Sequence, residues 1–111
     1  MTGRVEQAAE RLKALGHPVR LSILRRLVQG PEAGTPAGEL QSRLDIPAST
    51  LSHHLATLAD AGLVRVAREG TTLRYRADYG TLRALTAYLW QDCCAGGAAD
   101  DPQPSPCCRR D

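Results

Sequence analysis

The sequence predicts a mainly α-helical domain completed by one small β-hairpin. Three observations predict it. Apolar residues recur at helical spacing in five separate stretches, the period switches to two between residues 64 and 77, and Gly or Pro stands at most of the boundaries. A chain of 111 residues allows one domain with one modest core. With three Tyr, one Trp and no Phe, that core has to be built from Leu, Val, Ile and Ala.

Val5, Ala8, Ala9, Leu12 and Leu15 fall on one face of a first helix, which Gly16 ends. Pro18 suits the first turn of a second helix. Val19, Ile23, Leu24, Leu27 and Val28 face inward there, with Arg20, Arg25 and Arg26 mostly elsewhere. Residues 30–36 (GPEAGTP) have loop composition. Thr35 is expected to cap, and Pro36 to open, a short third helix with Ala37, Leu40 and Leu44 inward. Asp45-Ile46-Pro47 then leads into a fourth helix carrying Leu51, Leu55 and Leu58 and closed by Gly62. Two short helices joined this closely have helix-turn-helix spacing.

Past Gly62, Val64 and Val66 alternate with Arg65 and Ala67, Glu69-Gly70-Thr71-Thr72 turns the chain, and Leu73, Tyr75 and Ala77 alternate with Arg74 and Arg76. This pattern predicts a two-stranded hairpin with an apolar inner face and an arginine outer face. The last helix runs from Tyr79 to Asp92, with a stripe of Leu82, Leu85 and Leu89 widened by Ala84 and Tyr88. So small a domain cannot bury that stripe on its own core, so this helix and the first are expected to form a homodimer surface. The elements together describe a winged helix-turn-helix of five helices and a two-stranded wing over residues 1–92. Residues 93–111, rich in Gly, Ala, Asp and Pro, form a flexible tail.

Composition narrows the function. A formal charge of +2 is too balanced to argue nucleic-acid binding by itself. Residues 1–92 nevertheless carry 12 basic against 9 acidic side chains. No apolar run is long enough to span a membrane. The opening MTGRVEQAAERLKAL lacks a continuous apolar stretch, which argues against a secretory leader and for a reducing, cytoplasmic setting. No phosphate-cradling loop or Ser-His-Asp order is visible, so an enzyme is not expected.

The outward face of the fourth helix begins Ser49, Thr50, Ser52, His53. Short donors and acceptors at the N-terminal end of such a helix reach base edges and phosphates in the major groove of a DNA duplex. His54, beside Leu55, falls near the buried face and is expected to pack or position. Arg65, Arg68, Arg74 and Arg76 on or near the hairpin can follow phosphates or enter the minor groove. The plainer alternatives are a solvated His53 and a hairpin whose charges only resist edge pairing.

Three segments carry a family resemblance. ALGHPVRLSILRRL (14–27), STLSHHLATLADAGLV (49–64) and REGTTLRYR (68–76) resemble, in order and spacing, the second helix, recognition helix and wing of the ArsR/SmtB-type repressors. The resemblance implies a homodimeric winged-helix repressor that leaves an inverted-repeat operator when an inducer binds. It implies groove-facing roles for Ser49, Thr50, Ser52 and His53, and wing contacts for Arg74 and Arg76. Two of the family's metal sites are missing their ligands. The third helix, TPAGELQSRL, holds no cysteine, and the terminal helix has no His and only Asp92 as an acid.

The four cysteines remain, as adjacent pairs Cys93-Cys94 and Cys107-Cys108. Thiolates are soft ligands that select soft ions, and trivalent arsenic takes three of them in a pyramid. Cys93 and Cys94 can chelate side by side, and Cys107 or Cys108 can supply a third sulfur. Closing the intervening loop of 12 residues costs about 2 kcal/mol. Arg109 and Arg110 favour the nearby thiolates. The arrangement resembles an arsenic-responsive branch of the family that uses a Cys-Cys pair past the last helix plus a later cysteine. The expected inducer is therefore arsenite, with antimonite or methylarsenite as variants. Alternatives are a zinc or cadmium site, although adjacent cysteines strain a tetrahedron, a thiol redox switch, a metalloid-binding protein that ignores DNA, and a tail without a role.

Overall fold

A computed structural model describes residues 3–92. The chain runs α1 (Gly3–Leu15), α2 (Pro18–Gln29), β1 (Thr35–Pro36), α3 (Ala37–Leu44), α4 (Ala48–Asp60), β2 (Val64–Glu69), β3 (Thr72–Ala77) and α5 (Tyr79–Trp90). The three strands form one antiparallel sheet in the order β1-β3-β2. The expected cysteine-bearing tail, residues 93–111, lies outside the described residues.

The five helices form where the apolar periodicity places them. Ile23 and Leu27 of α2, Leu40 of α3, Leu55 and Leu58 of α4, and Leu63 at the start of the wing are the largest fully buried side chains. Removing such side chains from water is the main driving force for the fold. Between α3 and α4, Asp45 takes the left-handed conformation (φ 55°) and donates its backbone N–H to the Gln41 carbonyl. Aspartate tolerates that region better than most residues, and Pro47 then sets the entry into α4. α1 and α5 lie together. The Arg4 guanidinium sits 5.2 Å from the Tyr88 ring centroid and donates to Gln91 Oε1 at 3.3 Å.

The wing differs from its expected form in two ways. It has a third strand, because the loop after α2 crosses the free edge of the hairpin. Thr35 pairs with Tyr75 and Pro36 with Arg74. Thr35 is thus a buried strand residue rather than a helix cap, and α3 starts at Ala37 behind Pro36 with no side-chain cap. Pro36 is tolerated because β1 is an edge strand. Gly34 makes the crossing possible: its φ is +103°, and a Cβ there would meet the Tyr75 carbonyl oxygen at 3.2 Å. Second, the inner face is buried only at its base. Val64 and Ala77 are buried, Leu73 and Tyr75 partly so, and Val66 is 49% exposed. The hairpin projects past the core, so its outer half has nothing to pack on. Val28, expected to face inward, is likewise exposed on α2.

Asp78 joins the wing to α5. Its carboxylate accepts the Thr81 N–H at 3.0 Å as helix cap and the Arg65 guanidinium N–H at 2.8 Å. These bonds, the Thr81 N–H first, hold its pKa below the ordinary 3.8 against the opposing effect of burial. Asp78→Ala is expected to lower stability by about 1–2 kcal/mol at pH 7. The folded carboxyl has the lower pKa, so this stabilisation is present above pH 3.8 and fades as the pH falls through the depressed value. Urea unfolding of both proteins at pH 7 and at acid pH checks the magnitude and the narrowing gap.

Candidate DNA-binding surface

α4 is fixed along one side and free along the other. Leu51, His54, Leu55 and Leu58 are buried, and the exposed side carries Ser49, Thr50, Ser52 and His53. The structure therefore brings the four expected groove-facing residues onto one open surface at the start of the helix. Pro47 caps α4 without a side-chain hydrogen bond, and the first turn holds no acid. The leading N–H groups and the positive end of the helix dipole are thus available to an anion such as a phosphate. Thr57 Oγ donates to the His53 carbonyl at 3.2 Å, along the same exposed side.

The wing arginines divide by partner. Arg65 is paired with Asp78. Arg74 donates to Glu69 Oε1 at 2.8 Å and to the Gly34 carbonyl at 3.1 Å, so it ties the wing tip and the β1 crossing to β3. Arg68 and Arg76 are exposed and make no hydrogen bond or ion pair among the described residues. Arg65 and Arg76 stand directly opposite each other across β2 and β3. Like charges in that register repel, and Asp78 offsets only the Arg65 side. A polyanion lying along the wing would relieve the remainder. Of the two wing arginines singled out for DNA contact, Arg76 is thus open to solvent and Arg74 is engaged within the chain.

Behind α4 lies a polar junction that residue patterning did not reveal. Arg20, grouped in sequence with the outward arginines of α2, turns inward instead. Its Nε donates to the Ala14 carbonyl at 2.6 Å, and its Nη1 lies 3.3 Å from His54 Nδ1. His17 caps α2 by accepting the Val19 N–H on Nδ1 at 3.1 Å, and its ring lies 4.6 Å from that of His54. Burial, then the neighbouring His17, Arg20 and His53, push the His54 pKa below the ordinary 6.5. The signal for this junction was the His-Pro-x-Arg spacing around Pro18, which puts both basic groups on the first turn of α2. His54 itself sits in the packing position expected of it. Among the described residues, no group of three or more His, Cys, Asp and Glu is placed to hold a metal ion. The cysteines 93, 94, 107 and 108 lie outside them.

Comparison with known proteins follows the same outline. A helix-turn-helix domain model matches residues 15–67. The chain is 42% identical over 84 residues to the HTH-type transcriptional regulator YgaV of Escherichia coli K12, covering 76% of this chain and 83% of that one. It superposes on an ArsR-like transcriptional regulator from Rhodococcus sp. RHA1 with a TM-score of 0.72 at 28% identity, covering 89% of this chain and 88% of that one. The homodimeric winged helix-turn-helix domain Mb0332 of Mycobacterium bovis, described as a possible ArsR-family regulator, gives a TM-score of 0.65 at 31% identity, covering 82% and 84%. With three short strands behind a helix-turn-helix and an open polar face on α4, the chain belongs to the ArsR/SmtB family of winged-helix transcriptional regulators.

Proposed function

We propose that the protein is a homodimeric repressor that inserts α4 into successive major grooves of an inverted-repeat operator, and that it releases the DNA when trivalent arsenic binds its cysteines. The observation that carries the DNA half is the division of α4 into a buried face and a polar face of Ser49, Thr50, Ser52 and His53, flanked by Arg76 on the wing. The inducer half rests on the chemistry of the donor set. Four soft thiols in two adjacent pairs suit a trivalent metalloid, with Cys93, Cys94 and one of Cys107 or Cys108 as ligands. Two relatives bear names of the same chemical class. One solved structure is described as a possible transcriptional regulator for arsenical resistance. A Streptomyces lividans protein is named a "probable mercury resistance operon repressor". Cys93 follows α5 closely in sequence, and α5 is one of the two helices proposed to pair the subunits. Ligand binding there would act through dimer geometry, since the two recognition helices must span about 34 Å. Linkage then requires operator DNA to weaken arsenite binding by the same factor that arsenite weakens DNA binding.

A second reading, a thiol redox switch, has one specific observation behind it: a neighbouring structure is described as reduced HlyU from Vibrio cholerae. One release assay separates the two. The full chain on its operator duplex, at fixed salt because affinity depends on it, is challenged with arsenite, antimonite, methylarsenite, zinc, cadmium, mercuric ion and peroxide. Arsenite is expected to release the wild type and to change the emission of Trp90, three residues before Cys93. Cys93→Ser is expected to raise the arsenite needed by about tenfold or more, the loss of one strong ligand bond. A Cys93→Ser protein that responds normally to arsenite sinks the proposed site. Release by peroxide alone transfers the function to the redox reading.

A further inference from the structure

The junction behind α4 joins three elements through groups whose hydrogen bonds depend on a proton. Arg20 reaches from α2 to the last-turn Ala14 carbonyl of α1 and to His54 on α4. A guanidinium only donates, so His54 Nδ1 has to accept and carries no proton. Val19 N–H donates to His17 Nδ1, so that nitrogen is bare as well. The His54 imidazole that accepts from Arg20 is therefore neutral, with its hydrogen on Nε2. Arg11 on α1 adds a further tie to the end of α4, donating from Nε to the Ala61 carbonyl at 3.3 Å.

We propose that Arg20 and His54 are positioning residues for DNA reading, which hold α4 against α1 and α2 only while the His54 imidazole is unprotonated, with His17 packed beside them. This rests on the reading of α4 as the groove-entering helix. A proton taken from water onto His54 Nδ1 turns the acceptor facing Arg20 into a donor and breaks that bond. It also places a second cation beside the Arg20 guanidinium in a partly buried junction. The groups acting on His54 are His17 from the turn between α1 and α2, Arg20 from α2 and His53 from α4 itself, all of them basic. Glu10 of α1 and Asp60 of α4 line a cavity with Arg20 and with Lys13 of α1, but no carboxylate of the described residues is among the groups that act on His54. The His17 ring, which caps α2 and lies 4.6 Å from that of His54, offers the added charge no anion. The polar face of α4 then loses its fixed orientation, and sequence preference falls before the fold does.

The test uses the full chain and a duplex it selects at pH 7.5 from a random-sequence pool. Affinity for that duplex and for a scrambled duplex is measured by anisotropy from pH 7.5 down to 5.0, at pH values where far-UV circular dichroism shows unchanged helix content. Preference for the selected duplex is expected to fall progressively as the pH drops, by no more than about tenfold per pH unit, as one obligatory deprotonation requires. Affinity for the scrambled duplex is expected to hold, because sequence-independent phosphate contacts do not require a fixed orientation of α4. His54→Asn keeps an acceptor in place of Nδ1, and His17→Asn keeps a good helix cap. Each is expected to retain the preference at pH 7.5 within about threefold, and His54→Asn to flatten the acid loss while His17→Asn keeps it. Arg20→Lys, which has no fork to span Ala14 and His54, is expected to lower the preference even at pH 7.5. A flat wild-type profile overturns the proposal, as does a wild-type acid loss retained in His54→Asn. If His54→Asn does not fold, His54→Gln and the wild-type profile decide. Failure to select any duplex at pH 7.5 sinks the groove-helix reading instead.

Discussion

The double variant Leu12→Glu/Leu89→Glu is expected to be monomeric and to bind its operator at least about a hundredfold more weakly than the wild type, a loss of about 2.8 kcal/mol. In the single chain Val5, Leu12, Leu89 and Trp90 are 51%, 43%, 53% and 54% exposed, on two helices that lie side by side. Exposed apolar side chains gathered on two adjacent helices of so small a domain mark an association surface. Burying each leucine contributes about 1.5–3 kcal/mol, and a carboxylate in its place carries a desolvation penalty into the seam from both subunits. A monomer presents one α4 and one wing, so it forfeits the second half-site. Light scattering and anisotropy measure both consequences. Leu21→Glu is the control: Leu21 is similarly exposed, but on the outer side of α2. If Leu21→Glu dissociates the protein and the double variant stays dimeric, the seam lies on α2 and the assembly proposed here is wrong.

The proposed seam and the reading helix meet at the polar junction. α1, half of the proposed seam, is tied to the middle of α4 through Arg20 between Ala14 and His54, and to the residue just past its end through Arg11 to Ala61. A shift of α1 within the dimer therefore has a direct hydrogen-bonded route to the face that meets DNA. On this proposal the seam and the reading face are parts of one mechanical unit rather than separate modules.

The helices are legible because each has an aliphatic stripe and all but α5, which Asp78 caps, have a Gly or Pro at a boundary, and these signals are local. Leu40, Leu51, Leu55 and Leu58 lie inward as their spacing requires, which in turn fixes Ser49, Thr50, Ser52 and His53 outward. What sequence alone did not show is long-range. Thr35 looks like a cap beside Pro36. Only its pairing with Tyr75, forty residues later, makes it a strand. Arg20 looks like a surface arginine, and only the packing of α1 and α4 against α2 gives its guanidinium the Ala14 carbonyl and His54 Nδ1 as acceptors. Arg74 and Arg76 occupy equivalent outward positions in the alternation, but Glu69 and the β1 crossing engage the first and leave the second open. Val66 has the right period for an inward residue, yet periodicity gives a direction and says nothing of whether anything lies there to pack against.

That last distinction sets a measurable contrast. Leu58→Ala is expected to destabilise the protein by about 3 kcal/mol, whereas Val66→Ala is expected to change stability by no more than about 0.5 kcal/mol. Leu58 is fully buried on the inner side of α4, and its carbonyl accepts the Leu63 N–H at 3.0 Å where the chain turns from α4 into the wing. Truncating it leaves a cavity bounded by helix and sheet that cannot collapse without moving α4. DNA affinity should therefore fall along with stability, even where the variant remains folded. Val66 stands on the projecting half of the wing opposite Tyr75, already half in water, so its methyl groups lose little burial when removed. Urea unfolding at one fixed protein concentration, necessary because a dimer's stability depends on concentration, reads both values. If Val66→Ala costs as much as Leu58→Ala, the wing is covered in solution by a surface absent from the single chain. The dimer seam would then have to extend beyond α1 and α5.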